Sequence, residues 1–166
     1  MMGSGAALDV IEALRDMATT GESKTRSGGE ENRSEQPPLE GPVIRAIAMP
    51  ADTNPAGDIF GGWLMAQMDM AAGSVAARRA RGRAATVMVE GMSFLSPVYV
   101  GDEVSLYARL LSEGRTSMRI KIEAWRRYRE EEAVNKVTEA TFVFVAIGKD
   151  RRPTPLPPAD ESNRIR

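Results

Sequence analysis

Residues 60 to about 81 are predicted to form one long helix that is apolar on nearly every face. Apolar side chains recur throughout it: Phe60, Trp63, Leu64, Met65, Met68, Met70, Ala71, Val75 and Ala76. A surface helix would show one apolar stripe, whereas a helix that is apolar all round is normally buried. Its far end carries Arg78, Arg79 and Arg81 before Gly82, which is typical of a helix C-terminus. The rest of the chain is therefore expected to wrap around this helix.

Four extended segments follow the helix, and in each of them apolar residues recur with the period of a strand. They cover residues 85–95, 103–111, 116–128 and 137–147, and a shorter apolar run at 43–49 precedes the helix. This alternation indicates an antiparallel sheet with one buried face, so the predicted fold class is α+β. The other sheet face also carries apolar and aromatic residues, such as Trp125. We therefore expect another subunit to cover part of the surface in a homo-oligomer.

The 166 residues are enough for one domain, at roughly 100–200 residues per domain. Residues 43–148 are predicted to form it. Residues 1–42 are predicted to be a flexible N-terminal extension, because residues 19–42 are rich in Gly, Ser, Glu and Pro and have little apolar surface to bury. Within this extension a short helix is predicted at Leu8, Val10, Ile11, Leu14 and Met17, and whether it docks on a partner subunit stays open. Residues 149–166 are predicted to be a polar, Pro-rich C-terminal tail.

The residues that the chain lacks exclude several classes of function. Cysteine and histidine are both absent. Thiol catalysis, Cys- or His-ligated metal sites and Ser-His-Asp chemistry are therefore excluded, and we expect neither a metal site nor a separate cofactor. With 22 basic and 23 acidic residues, general binding to nucleic acid is not expected. No apolar run reaches the ~18–20 residues that span a bilayer, and no secretory signal is evident, so we expect a cytoplasmic protein without a membrane partner.

The segment from residue 52 to residue 63 is the one most suited to chemistry. Asp58 lies just before the predicted helix, and Gly61 and Gly62 lie at its first turn. Helix N-termini leave backbone N–H groups free, and glycines let a ligand approach them closely. A carbonyl oxygen bound there would be polarised, and a neighbouring carboxylate could deprotonate water or attack the carbonyl carbon. The alternative is that Asp58 only caps the helix and the glycines only allow close packing.

The order and spacing of several motifs resemble those of the bacterial YciA-type acyl-CoA thioesterases, which have the hot-dog fold. The motifs are MP, DTN, GDIFGGW and MAQMD between residues 49 and 69, and VEGMSFLSPV and VGD between residues 89 and 102. The resemblance extends over residues 43–147. It implies a long helix wrapped in a curved antiparallel sheet, with two protomers forming one continuous sheet and active sites at their interface. It also implies hexamers, built as trimers of dimers, and hydrolysis of acyl-CoA to free CoA and a carboxylic acid.

The resemblance also implies roles for particular residues. Asp58 matches the catalytic carboxylate, acting as general base or nucleophile, and Gly61 and Gly62 match the backbone donors to the thioester carbonyl. Asn54 matches a polar position near the site. Phe60 stands where many relatives have histidine, so no mechanism that needs that imidazole applies.

Two further groups are candidates for substrate binding, each with an alternative. Glu90, Ser93 and Phe94 lie on a segment that in relatives reaches the site from the other protomer; otherwise they are a sheet-face charge, a cross-strand hydroxyl and a core ring. Arg115, Thr116 and Ser117 lie in a region that in relatives approaches the CoA nucleotide; otherwise they only form a hairpin turn. Asp69, in the middle of the helix, is either structural or a second acid.

Two other functions were weighed against thioester hydrolysis. Hot-dog dehydratases depend on a catalytic histidine, which this chain lacks. A non-catalytic acyl-CoA-binding sensor would keep the ligand site without turnover, and this alternative stays open.

Deleting residues 1–41 should leave the melting temperature nearly unchanged, because the extension offers little apolar surface to the core. Thermal unfolding of the full chain and of the shortened chain checks this. A large drop on deletion would mean that the extension is docked.

Overall fold

The computed structural model describes residues 36–159 and contains one long helix packed on one face of a five-stranded sheet. The elements are β1 (Ile44–Ile47), a short 3-10 helix (Pro50–Asp52), α1 (Gly61–Ala80), β2 (Arg83–Phe94), β3 (Glu103–Glu113), β4 (Ser117–Arg127) and β5 (Val134–Ile147). All strand pairs are antiparallel and the order is β1-β3-β4-β5-β2. The predicted α+β class and helix are thereby confirmed. The short helix predicted at Leu8–Met17 lies outside the described residues.

The core lies between α1 and the inner face of the sheet. Four helix positions with 0% exposure contribute small or flexible side chains, Met68, Ala71, Ala72 and Ala76. The inner sheet face supplies the larger ones, including Leu106, Ile120, Ile122 and Phe142. Alanine on the helix lets the backbone approach the sheet closely, and the branched and aromatic side chains fill the space between them.

The sheet covers only part of the helix surface. Met65 and Met70 are 41% and 51% exposed, at two different places around α1. The prediction that α1 is buried on nearly every face is therefore wrong for a single chain. Five strands enclose one side of a helix, and the other side keeps its apolar residues in contact with solvent.

The outer face of the sheet is more polar than the sequence suggested. Trp125 is only 2% exposed, because Lys136 lies over its ring at 5.8 Å and its indole N–H donates to Glu123 Oε2 at 3.1 Å. Ion pairs join Lys121 and Lys136 to Glu139 at 3.0 and 2.7 Å. Trp125 is thus covered by its own chain, and it is not a reason for self-association.

The long edge strand β2 gives a better reason for self-association. It has 12 residues and, within residues 36–159, pairs only with β5, so in this part of the chain its other edge leaves backbone N–H and C=O groups unpaired. Met88 and Val89 on this strand are exposed, as are Phe94 at its end and Leu95 beyond it. A long edge with apolar side chains is a template for pairing with another chain.

The described part of the C-terminal tail is hydrogen-bonded to the end of the sheet. Thr154 N–H donates to Ala146 O at 2.9 Å, and Leu156 N–H donates to Arg115 O at 2.8 Å. Leu156 also packs against the core. Among residues 36–159, no helix is long and apolar enough to cross a membrane.

The stability of the fold should depend on the ionisation of Glu139. Lys136 chiefly, and then Lys121, hold the pKa of Glu139 below its ordinary value of 4.5. A carboxyl whose pKa is lowered on folding stabilises the fold above its unfolded-state pKa and loses that contribution as pH falls through the folded-state value. Thermal unfolding should therefore show wild type to be more stable than Glu139→Gln at neutral pH, with the difference shrinking in acid. A difference that stays constant from neutral pH down to ~3, below the ordinary carboxyl range, would contradict this.

Candidate functional site

A tight loop delivers Asp58 to the start of the helix. Thr53 and Ile59 form an isolated antiparallel bridge across its neck. Inside it, Asn54 N–H donates to Asp58 O at 2.7 Å, and Gly57 N–H donates to Asn54 O at 3.0 Å. Gly57 has φ +93°, a left-handed conformation that glycine adopts without strain. The turn residues Asn54 and Gly57 thus fix the position of the backbone at Asp58.

The base of this loop is anchored to the buried sheet. Ala48, at the end of β1, exchanges two backbone hydrogen bonds with the turn at Gly101 and Asp102, at 2.8 and 3.0 Å. The Asp102 side chain is fully buried, and its Oδ2 accepts from Tyr99 N–H at 3.0 Å and from Arg126 Nη1 at 3.1 Å. A buried carboxylate that is paired in this way fixes the turn on which the loop stands.

Asp52, which the sequence analysis did not single out, links the base of the loop to the helix. Its Oδ2 accepts from Met49 N–H at 2.9 Å, and its backbone oxygen accepts from Phe60 N–H at 2.9 Å. The signal was present in the sequence, since Pro50-Ala51-Asp52 is a short helical turn with an acid at its third position. Asp52 therefore sets the position of the residue immediately before α1.

The carboxylate of Asp58 is exposed and, within residues 36–159, has no hydrogen-bonding or ionic partner. The capping residue of α1 is Phe60, and no side chain caps the helix. The alternative that Asp58 serves only as a helix cap is therefore wrong. Its side chain is left available for another task.

The first two amides of α1 are also available. Trp63 and Leu64 donate to Phe60 O, at 2.9 and 3.4 Å, whereas the N–H groups of Gly61 and Gly62 have no acceptor in the described part of the chain. Free amides at a helix N-terminus carry the positive end of the helix dipole. A carboxylate and two free donors thus lie within five residues of one another in the sequence, which is the arrangement expected from the resemblance.

Two aromatic rings flank the glycine pair. A Cβ on Gly62 would overlap the ring of Phe60, and one on Gly61 would lie 3.4 Å from Phe94 Cζ. Both rings are more than half exposed, Phe60 at 58% and Phe94 at 55%. They form apolar walls beside the free amides, in a place where a ligand would cover them.

A β-bulge in β2 decides which of its residues face this site. Glu90 pairs with Thr141 and Ser93 with Glu139, so three steps on β2 match two on β5 around Gly91, whose φ is +62°. The extra residue turns Phe94 inward, towards Gly61 of the same chain. The expectation that this segment reaches the site from the other protomer does not apply to that contact.

Glu90 and Ser93 face the outer side of the sheet. The carboxylate of Glu90 is engaged by Arg119, with Nη1 and Nη2 at 2.9 and 2.5 Å from its two oxygens. In one chain these two residues are therefore not brought to Asp58, and their roles in substrate binding stay predictions. The resemblance placed all three residues near the site, and the sequence alone does not reveal the bulge that separates Phe94 from the other two.

Arg115, Thr116 and Ser117 lie at the opposite end of α1. The adjacent Glu113 accepts from Arg79, near the helix C-terminus, at 2.6 and 2.5 Å. A helix of 20 residues is about 30 Å long, so this turn is far from Asp58 of the same chain. Arg115 is exposed, whereas Ser117 is 7% exposed and is closed in against Gly114. If these residues meet the ligand of an Asp58 site, that site belongs to another protomer.

Asp69 has a structural partner. Its Oδ1 accepts from Thr86 Oγ1 on β2 at 2.5 Å, which favours the structural alternative for this half-buried carboxylate. Across residues 36–159 there is no group of three or more carboxylates placed to hold a metal ion.

Comparison with known proteins places this geometry in context. The sequence model of the thioesterase superfamily matches residues 56–133. An uncharacterized acyl-CoA thioester hydrolase of Zymomonas mobilis is 53% identical over 128 residues, which cover 77% of this chain and 86% of that protein. The acyl-CoA thioester hydrolase YciA of Escherichia coli K12 is 51% identical over 118 residues, which cover 69% of this chain and 89% of YciA.

Solved structures agree in fold. The hexameric thioesterase y2039 of Yersinia pestis superposes with a TM-score of 0.69 at 47% identity, covering 74% of this chain and 99% of that one. HI0827, described as a hexameric broad specificity acyl-coenzyme A thioesterase, has a TM-score of 0.70 at 41% identity. The match covers 76% of this chain and 88% of HI0827.

Two glycines of α1 should respond differently to alanine. At Gly73 a Cβ would make ordinary contact with Phe144, at 3.7 Å, so Gly73→Ala should stabilise the protein by up to ~1 kcal/mol through helix propensity. At Gly62 the Cβ would displace the ring of Phe60, which offsets that gain. Thermal unfolding of both variants against wild type checks this, and an equal rise for Gly62→Ala would show that Phe60 does not restrict the position.

Proposed function

Because the chain belongs to the YciA-type acyl-CoA thioester hydrolases of the hot-dog fold, we propose that the junction of the loop and α1 is its active site. The enzyme converts an acyl-CoA and water into free CoA and a carboxylic acid. The observation that carries the proposal is the unpaired carboxylate of Asp58 beside the free amides of Gly61 and Gly62.

The amides of Gly61 and Gly62 bind the thioester carbonyl oxygen. Negative charge develops on this oxygen as the carbonyl carbon becomes tetrahedral, and fixed N–H donors at a helix N-terminus stabilise that charge without reorganising. Any ligand covering the exposed rings of Phe60 and Phe94 also removes water from around the amides, which strengthens the interaction.

Asp58 supplies the basic or nucleophilic group, by one of two balanced routes. As a base, it takes a proton from water while the water oxygen bonds to the carbonyl carbon, and the C–S bond then breaks to release the CoA thiolate. As a nucleophile, its oxygen bonds to the carbonyl carbon and expels the thiolate, leaving an anhydride that water hydrolyses. The chain contains no histidine, so no imidazole takes part in either route. In the first route the proton held by Asp58 passes to the departing thiolate; in the second, hydrolysis of the anhydride releases the carboxylic acid and regenerates the Asp58 carboxylate. Neither route uses a separate cofactor.

Self-association of this chain is supported by its hexameric relatives and by its own exposed apolar surface. Met65 and Met70 on α1, together with the free edge of β2, form the surface that a second protomer covers. Assembly also offers a way to complete the site. Arg115, exposed at the far end of α1, would contact the phosphates of a CoA bound at another protomer's Asp58.

The substrate contacts of Thr116, Ser117, Glu90 and Ser93 remain proposals of the same kind, as does the cytoplasmic location.

Replacing Asp58 should abolish turnover without unfolding the protein. Asp58→Ala and the isosteric Asp58→Asn should lower kcat by at least ~100-fold, since both remove the carboxylate from an exposed position. CoA release from short, medium and long acyl-CoAs can be followed with a thiol-reactive dye, and the absence of cysteine removes any protein background.

Asp150→Ala is the matched control, because this exposed carboxylate lies in the turn after β5. It should keep the wild-type rate. Wild-type turnover by Asp58→Ala would refute the assignment of Asp58, and tight binding of acyl-CoA without turnover by wild type would favour the sensor.

A further inference from the structure

We propose that Asn54 is a positioning residue for Asp58, acting through the backbone of the loop rather than through contact with substrate. This inference rests on the proposed function of Asp58. Asn54 Oδ1 accepts from the N–H of Asp58 at 3.2 Å and from that of Ala56 at 2.9 Å. The Asn54 N–H in turn donates to Asp58 O at 2.7 Å. One residue therefore holds both backbone polar groups of Asp58.

These hydrogen bonds restrain the loop, which side-chain packing does not restrain. Pro55, Ala56, Gly57 and Asp58 are all exposed, so no buried side chain restrains the turn. With its N–H and C=O both engaged by Asn54, the backbone of Asp58 has a fixed orientation, and its Cα–Cβ bond points in a fixed direction. Displacing a catalytic group by about 1 Å can cost as much as ~100-fold in rate. Asn54 thus fixes the direction of the Asp58 side chain without making a hydrogen bond to its carboxylate.

The choice of asparagine over aspartate has an electrostatic reason. Aspartate could accept the same two N–H groups, but it would place a second negative charge at the amide of Asp58. A like charge nearby disfavours the ionised form of a carboxyl and raises its pKa. The other groups around the loop add little charge. Asp52 is its only other carboxylate and is held by Met49 N–H, the first turn of α1 carries no acid, and Phe94 of β2 is uncharged. Asn54 therefore gives the geometry without the charge.

Two substitutions at this position separate geometry from charge. Asn54→Ala removes Oδ1, which accepts both hydrogen bonds, and kcat should fall about 10- to 100-fold with KM changed less than about threefold, because the free amides of α1 are untouched. Asn54→Asp keeps the acceptors. Its kcat should approach the wild-type value at alkaline pH, while the acid limb of its pH–rate profile moves to higher pH.

Thr53→Val is the matched control within the same loop. It removes the hydrogen bond from Thr53 Oγ1 to Pro50 O, 2.8 Å, which does not involve Asp58. Its kcat should stay within about twofold of wild type. Circular dichroism and thermal unfolding of every variant establish that each is folded.

Three results would overturn the inference. Wild-type kcat in Asn54→Ala would show that Asp58 needs no such support. A rise in KM at unchanged kcat would mean that Asn54 binds substrate directly. Failure of Asn54→Asp to recover at any pH would mean that the acceptor geometry is not what matters. Each of these is distinct from failure of the proposed function itself, which would appear as full activity in Asp58→Ala or no turnover by wild type.

Discussion

The shape of this protein is governed by the mismatch between an apolar helix and the sheet available to cover it. The inner sheet face buries the side of α1 that carries Met68 and Ala72, whereas Met65 and Met70 stay exposed within residues 36–159. At about 25 cal/mol per Å² of apolar surface, covering these side chains by another protomer would be favourable. In the proposed assembly, the free energy of association therefore comes from surface that the fold of one chain leaves unburied.

The loop that carries Asp58 is exposed, and buried residues anchor it. Its support runs from Asp102, which is fully buried, through Ala48 at the end of β1 to Asp52, and from there to Phe60 at the start of the helix. Hydrogen bonds therefore connect the exposed loop to the core. The residues at the surface end of these connections carry the free amides and the free carboxylate. Groups that are held in place and yet have no partner are what preorganised electrostatic stabilisation requires.

Much of this could be predicted from the sequence, for identifiable reasons. The helix was predicted within one residue at each end, because its composition and its terminal arginines are strong local signals. The alternation of β4 correctly assigned Ile120 and Ile122 to the core. Asp58, Gly61 and Gly62 could be placed at one loop–helix junction because they are neighbours in the chain, and their shared role in catalysis stays a prediction.

The features that the sequence did not reveal all depend on information that local patterns do not carry. A single extra residue near Gly91 separates Glu90 and Ser93 from Phe94, and a bulge changes no residue type. Trp125 was expected on a sheet face that another subunit covers, but Lys136, which covers it, comes from the neighbouring strand, and only the register of β4 and β5 brings them together. Likewise, the distance between Arg115 and Asp58 follows from the length and direction of α1. What depends on side-chain type alone could therefore be predicted. The sheet face on which a residue lies, and the end of the molecule at which it lies, could not.

The free edge of β2 has a consequence for how this protein behaves on dilution. If its apolar side chains and unpaired backbone groups are satisfied only between protomers, then folding and assembly are one coupled equilibrium. Mass action then makes the apparent stability depend on protomer concentration, and a melting temperature has meaning only at a stated concentration. The same coupling exposes newly synthesised chains to off-pathway edge pairing until they meet a partner. The rate at which protomers find one another, rather than the intrinsic stability of the fold, then limits how much active enzyme accumulates.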